Sequence, residues 1–168
     1  MTTGVTASVY IETSVFGFYN DTKPESLIKR GWTRQLFAKA KQGRFIPYTS
    51  DYVVAELEAT PDDAEREAEL ALIDEYNLNI LLPSDKTRWM ADCYVIAKLM
   101  TKDNYEDALH IASATVNKLP FIVSYNFHIA RKNVVTATAF SNAISAVNIQ
   151  EGYQPIQILT PEEMVKNV

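Results

Sequence analysis

Short apolar segments alternate with helix-length stretches in this chain, and no two-residue hairpin turn joins any of them. That pattern constrains the fold more than any other feature. Ala7 to Ile11, Phe45 to Tyr48, Asn79 to Leu82, Phe121 to Ser124 and Ile156 to Leu159 have the length and apolar content of strands. Strands joined through helices pair in parallel, because a parallel pair needs a long crossover. The expected fold is therefore α/β, a three-layer sandwich with a mostly parallel central sheet. Pro24 to Gln42 reads as a helix with Trp32, Leu36, Phe37 and Ala40 on one face and Gly43 as its stop. Thr49-Ser50-Asp51 supplies caps for a helix through Glu58, and Thr60-Pro61-Asp62-Asp63 opens another to about Tyr76. On that helix Glu65, Glu67 and Glu69 read as a solvated face. Ser84-Asp85 starts a helix whose expected inward stripe is Trp89, Cys93, Ile96, Ala97 and Met100. Tyr105 to about Lys118 follows, with Ala108, Ile111, Ala112 and Thr115 inward. A weakly structured stretch around 131–147 ends in a further helix.

At 168 residues, with no repeat or linker to divide it, residues 1–168 read as one domain. Sixteen Lys and Arg against 21 Asp and Glu give a net charge of −5, which excludes a globally basic nucleic-acid coat. Any nucleic acid must be held by a local basic patch or a bound cation. A lone cysteine, Cys93, excludes an intrachain disulfide and a thiolate zinc cage. Cys93 to Ala97 is the longest apolar run, far short of a membrane span. Met1 to Ser8 has neither a basic nor an apolar region and is not read as a signal peptide, so a cytoplasmic protein is expected. The glycines at 4, 17, 31, 43 and 152 stand too far apart for a phosphate loop, a dinucleotide fingerprint or a nucleophile elbow. Two histidines, His110 and His128, cannot build a multi-histidine metal site. Chemistry here falls to carboxylates.

In a parallel sheet the ligand site lies beyond the carboxyl ends of the strands. Glu12 directly follows the first strand, and Asn126 sits two residues past the fourth. Asp107 lies in the first turn of the helix leading to that strand. Glu56 is placed among apolar neighbours on the helix after the second strand. Such carboxylates are costly to bury unless a cation or hydrogen bonds compensate them. A hard divalent ion, Mg²⁺ or Mn²⁺, takes oxygen ligands of this kind and can activate water for attack on a phosphodiester.

Four segments then resemble the PIN-domain family in order. Val9-Tyr10-Ile11-Glu12-Thr13-Ser14-Val15 resembles its opening strand and acidic turn, and Thr49 to Leu57 its second motif. Asp107-Ala108-Leu109-His110-Ile111-Ala112-Ser113-Ala114 matches the third, and Ile122 to Ile129 resembles the fourth. The resemblance spans roughly residues 7 to 160. It implies a metal-dependent endoribonuclease, and many small members are VapC-like toxins of toxin–antitoxin pairs. Carried over, Glu12, Glu56 and Asp107 fall on acidic metal-site positions and Asn126 on a fourth, usually acidic one. Thr13 and Ser124 match hydroxyls that order the metal's water shell. Two departures stand out: the first acid is usually Asp, one methylene shorter than Glu12, and Asn126 is an amide.

Each residue also has a plainer reading. Asp107 would favour a helix dipole, Glu56 would be solvated, Glu12 would form a hydrogen-bonded turn and Asn126 would cap a helix. His110 reads as a structural histidine holding a neighbouring backbone or carboxylate, and Cys93 as core packing. Arg131 and Lys132, with His128 and Tyr125, are the expected substrate contacts, Tyr125 and Phe127 offering faces to an unpaired base. Lys29, Arg30 and Arg34 form a second basic cluster. The expected function is cleavage of single-stranded RNA with Mg²⁺ or Mn²⁺, as the toxin partner of an antitoxin. The alternative is a PIN-like module that binds RNA or protein without cutting. Trp32, Phe37 and Trp89 suggest a homodimer, and no membrane association is expected.

Overall fold

The structure is a computed structural model that describes residues 5–126 and 137–168. His128, Arg131 and Lys132 lie outside the described residues, as does Phe127. Five strands, β1 (Ser8–Ile11), β2 (Ile46–Ser50), β3 (Asn79–Leu81), β4 (Phe121–Val123) and β5 (Gln157–Leu159), form one sheet in the order β3-β2-β1-β4-β5. Every pairing is parallel. Among the described residues the α-helices are α1 (Thr13–Tyr19), α2 (Leu27–Lys41), α3 (Asp51–Glu58), α4 (Asp63–Glu75), α5 (Asp85–Ile96), α6 (Tyr105–Val116), α7 (Ala137–Gln150) and α8 (Pro161–Asn167). The chain runs outward through β1, β2 and β3, then returns to place β4 on the other side of β1. Right-handed crossovers therefore put the helices of the two halves on opposite faces. The contacts agree: α1 packs on α2 and α4, α5 packs along α6, and α3 touches both groups. No helix among the described residues is long and apolar enough to cross a membrane.

Strand order reverses between β1 and β4, so the crevice past their carboxyl ends is where such a sheet holds its ligand. Val9, Tyr10, Ile11, Ile122 and Val123 are buried in these two strands. The Glu12 amide joins the end of β1 to β4 by donating to the Val123 carbonyl (3.0 Å), and the Ser124 amide joins the end of β4 to β5 by donating to the Leu159 carbonyl (3.0 Å).

Side-chain caps start several of the helices. Ser50, the last residue of β2, caps α3 through Val53 N, and Ser84 caps α5 through Thr87 N. Asp62, rather than Thr60, caps α4. Two helices exceed the sequence expectation. Glu12-Thr13-Ser14, read as a turn, begins α1, with Val15 and Phe16 buried. Thr160 and Glu163 build a capping box that starts α8.

The inward stripe expected on α5 needs correction. Trp89 and Ile96 are 60% and 76% exposed, while Thr87, Met90, Ala91 and Tyr94 are buried. Tyr94 turns inward because its hydroxyl meets Thr115 Oγ1 (3.0 Å) and Asn148 Oδ1 (2.6 Å). Phe37 lies in the core, and Trp32 is half-buried under the Lys166 ammonium.

Glu69 is the second correction. Glu65 and Glu67 are exposed, but Glu69 is only 7% exposed, closely packed on α1 where a Cβ on Gly17 would lie 3.4 Å from its Oε1. Thr60 Oγ1 donates to its Oε2 (3.1 Å). Burial pushes the carboxyl above its usual range, outweighing the Thr60 bond, and Glu65 adds to the rise. A carboxyl with a raised folded-state pKa binds more protons folded than unfolded, so stability is lost as pH rises through that window. Glu69→Gln should therefore stabilise the protein at pH 8 by about 1 kcal/mol, roughly 2–4 °C in a chain of this size. Near pH 4, below the ordinary carboxyl value of 4.5, Glu69 is mostly protonated in both states and most of the gain should be lost. Thermal melts at the two pH values check this, and no gain at pH 8 would contradict it.

Candidate active site

Glu12 stands at the crevice as the N-cap of α1. Its Oε2 accepts from Ser14 N (3.1 Å), Ser14 Oγ (2.5 Å) and Ser124 Oγ (2.6 Å), and the residue is buried. The two serine hydroxyls also carry the chain that leaves β4. Tyr125 N donates to Ser14 Oγ (2.9 Å) and Asn126 N to Ser124 Oγ (2.8 Å). One carboxylate oxygen thus organises both strand ends. Ser124 was expected here; Ser14, adjacent to it in space, was not.

Glu56 reaches the same place from α3. Its Oε1 accepts from His110 Nε2 on α6 (2.7 Å), and the His110 ring is 2% exposed. His110 Nδ1 lies 2.7 Å from Tyr10 Oη, which in turn lies 2.7 Å from Ser50 Oγ. Nε2–H donates to Glu56 in either charge state; Nδ1 donates to Tyr10 when the imidazole is protonated and accepts from it when neutral, and Ser50 completes the line in both cases. Electrostatics favour the protonated form. Burial alone would lower the His110 pKa, but the bond to Glu56 and the charges of Glu56, Glu12 and Asp107 raise it above its ordinary value. For Glu56, burial raises the carboxyl pKa, yet the His110 bond and charge, with help from Thr13, bring it below the usual value. The Thr13 hydroxyl favours that anion without forming a hydrogen bond of ordinary geometry.

Glu12, Glu56 and His110 each offer one ligand atom, and these three atoms lie within 4.8 Å of one another. Asp107, Ser124 and Asn126 line the same small cavity with Glu12 and His110, closed by Met100, Ile111, Ile122 and Phe140. Its interior of about 10 Å³ admits roughly one water-sized sphere. Asn126 Oδ1 is buried there and has no hydrogen-bond partner among the described residues. A bare amide oxygen beside carboxylates is an acceptor that a hard cation or its water would satisfy. The oxygen donors fit Mg²⁺ or Mn²⁺, and His110, both of whose ring nitrogens are already engaged by Glu56 and Tyr10, stands as a partner of Glu56 and not as a ligand.

Of the expected residues, Glu12, Asp107, Ser124 and Asn126 line this cavity; Glu56 is not in its lining but has a carboxylate oxygen within 4.8 Å of Glu12 and His110, and the Thr13 hydroxyl acts on Glu56. Tyr125 is half-buried, its ring packed edge-on to Phe18 at 4.8 Å.

The topology and the place of the acids can be compared with solved structures. The chain is similar to a member of the VapBC family of toxin-antitoxin systems, VapBC-5, from Mycobacterium tuberculosis, at 18% identity and a TM-score of 0.50. The match covers 92% of this chain and 98% of that one. The fold is PIN-like. No protein-family model and no curated protein matches the sequence. Within this PIN-like fold the acidic crevice falls at the switch point between β1 and β4, where the topology rule places a ligand. Sequence reasoning missed Tyr10, Ser50 and Ser14, and took His110 no further than a structural role. His110 carried a signal, since it follows Asp107 by three residues and so shares its helix face.

Proposed function

We propose that this chain is a divalent-cation-dependent endoribonuclease that hydrolyses phosphodiester bonds in single-stranded RNA, and that it is the toxin of a toxin–antitoxin pair. One observation carries the reading. At the switch point of a parallel sheet Glu12 has the Glu56 carboxylate within 4.8 Å and shares a small cavity with Asp107 and with the Asn126 amide oxygen, which has no hydrogen-bond partner among the described residues. Glu12, Glu56 and Asp107 would hold Mg²⁺ or Mn²⁺, with Asn126 Oδ1 as a neutral oxygen donor. The bound cation supplies a Lewis acid that lowers the pKa of water and offsets phosphate charge. Ser14 and Ser124 fix the Glu12 carboxylate, and His110 Nε2–H fixes that of Glu56, so both carboxylates are held in one orientation. Tyr125 borders the pocket, and His128, Arg131 and Lys132 follow it in sequence as substrate contacts within the same proposal. The toxin role draws on the likeness to a VapBC member, and the exposed Trp89 and Ile96 of α5 support a protein neighbour, an antitoxin or a second copy.

Purified protein should cut single-stranded RNA with Mg²⁺ or Mn²⁺, stop in EDTA and resume when Mn²⁺ is added in excess. Cutting that continues in EDTA would remove the reading. A second reading has its own observation: Glu12 Oε2 already accepts three hydrogen bonds and Glu56 is already paired with His110. Those compensations suit a module that binds RNA or protein without cleaving it. RNA binding with no cleavage at any Mn²⁺ concentration would favour that module.

A further inference from the structure

Helix α2 carries Lys29, Arg30, Arg34, Lys39 and Lys41 and no acidic residue, in a chain whose net charge is −5. None of the five is in an ion pair among the described residues. Aromatic rings hold three of them instead. Lys29 Nζ lies 4.8 Å from the Phe18 ring centre and 5.3 Å from that of Tyr125. Arg34 Cζ lies 5.4 Å from the Tyr19 ring and Lys41 Nζ 5.6 Å from the Tyr76 ring. A ring face orders a cation without neutralising it, so the full charge stays available to an anion.

Lys29 is also tied to the acidic pocket. The Tyr125 hydroxyl donates to the Lys29 carbonyl (3.0 Å) and lies 3.1 Å from Thr33 Oγ1, both on α2. The Tyr125 amide donates to Ser14 Oγ, which donates to Glu12. Tyr125 therefore clamps the start of α2 against the lip of the pocket. Carboxylates there repel a polyanion, so a substrate phosphate needs a fixed cation nearby to enter. Exposed cations alternating with aromatic side chains match a single strand, whose phosphates meet the charges and whose bases have faces to stack. An acidic peptide would use the charges but bring no bases to the rings.

We propose that α2 is the track by which single-stranded RNA reaches the pocket, with Lys29 and Arg34 contacting backbone phosphates; the inference rests on the nuclease reading above. Binding can be read apart from cleavage by using the native chain in EDTA. The probe is a fluorescein-labelled oligouridylate of about 12 nucleotides, its anisotropy followed between about 50 and 200 mM KCl. The Lys29→Gln/Arg34→Gln double variant should bind about tenfold more weakly at the low-salt end. Its log–log salt slope should be shallower by about 1.4, or roughly 0.7 for each lost phosphate contact. The Lys29→Arg/Arg34→Lys variant should keep both affinity and slope. In Mn²⁺ the Gln variant should show a raised KM with kcat unchanged. Unchanged RNA affinity in the Gln variant, or no RNA binding by the native chain, overturns the proposal. So does loss of poly-glutamate binding while RNA binding persists, which would assign α2 to an acidic protein partner. A native chain that binds RNA through α2 yet cuts none in Mn²⁺ leaves the track standing and removes the nuclease reading.

Discussion

His110→Leu should destabilise the metal-free protein by about 3 kcal/mol, roughly 6–12 °C in thermal midpoint. Glu56, with 29% of its side chain exposed, would lose its counter-charge, and Tyr10 would keep Ser50 alone. The penalty is bounded in pH. Glu56 is held below its ordinary value of 4.5, so its contribution is present above that value and lost as pH falls through the folded pKa. His110 is held above its ordinary value of 6.5, so its contribution is full below that value and lost as pH rises through the folded pKa. The gap between native and variant should therefore be widest between pH 4.5 and 6.5. His110→Gln, which can still donate to Glu56, should lose only about 1 kcal/mol. RNA cleavage by His110→Leu should drop about 10²-fold, since an outer partner that orients a ligand carboxylate typically counts for that much. Denaturation across pH, with cleavage rates in Mn²⁺, checks both effects. A penalty independent of pH would show that packing, and not the ion pair, is what His110 supplies.

Asn126→Asp should act in the opposite direction on metal. The amide oxygen is already buried in the pocket with no hydrogen-bond partner among the described residues, so the change adds charge where an oxygen already stands. Coulomb attraction to the ion rises with ligand charge and helps offset the cost of stripping its water. Mn²⁺ should bind about tenfold more tightly, or roughly 1.4 kcal/mol. Without metal the same variant should be less stable than the native protein, because a fourth carboxylate would face Glu12, Glu56 and Asp107. Paired calorimetric titrations and melts give both numbers. Equal Mn²⁺ affinities would place Asn126 outside the metal site.

Much of this was legible in the residues. The five strands, the parallel topology and the acidic positions follow from segment spacing and from where polar residues fall after strands. Helix α1 was not, because Thr-Ser-Val-Phe-Gly-Phe-Tyr is rich in β-branched and aromatic residues and glycine, which favour helix weakly. Its helix depends on the Glu12 cap and on buried Val15 and Phe16, both tertiary facts. On α5 two stripes satisfy helical spacing, and the choice fell to Thr115 and Asn148, which receive Tyr94 from distant parts of the chain. Glu65, Glu67 and Glu69 cannot share one helix face, since residues two apart point in different directions. Glu65 and Glu69, four apart, do share one, so what buries Glu69 alone is its packing against α1 and Thr60, which helical spacing does not announce. The capping box Thr160-Pro-Glu-Glu163 was likewise readable and marks α8.

The site divides in the same way. Glu12 follows β1 and Asn126 follows β4, as strand-end logic expects, and Glu56 and Asp107 lie on α3 and α6. The serine pair around Glu12 and the line from Ser50 through Tyr10 to His110 join residues 40 to 112 positions apart, so no local pattern announces them. Their effect is to compensate the acids before any cation arrives.

Titration of Mn²⁺ into the metal-free native protein, with Asp107→Asn alongside, tests the central claim most directly. The native chain should bind one ion per chain, and Asp107→Asn should lose most of that affinity while keeping a cooperative thermal transition. Absence of binding by the native chain, or equal binding by Asp107→Asn, would contradict a metal centre at the β1–β4 crevice.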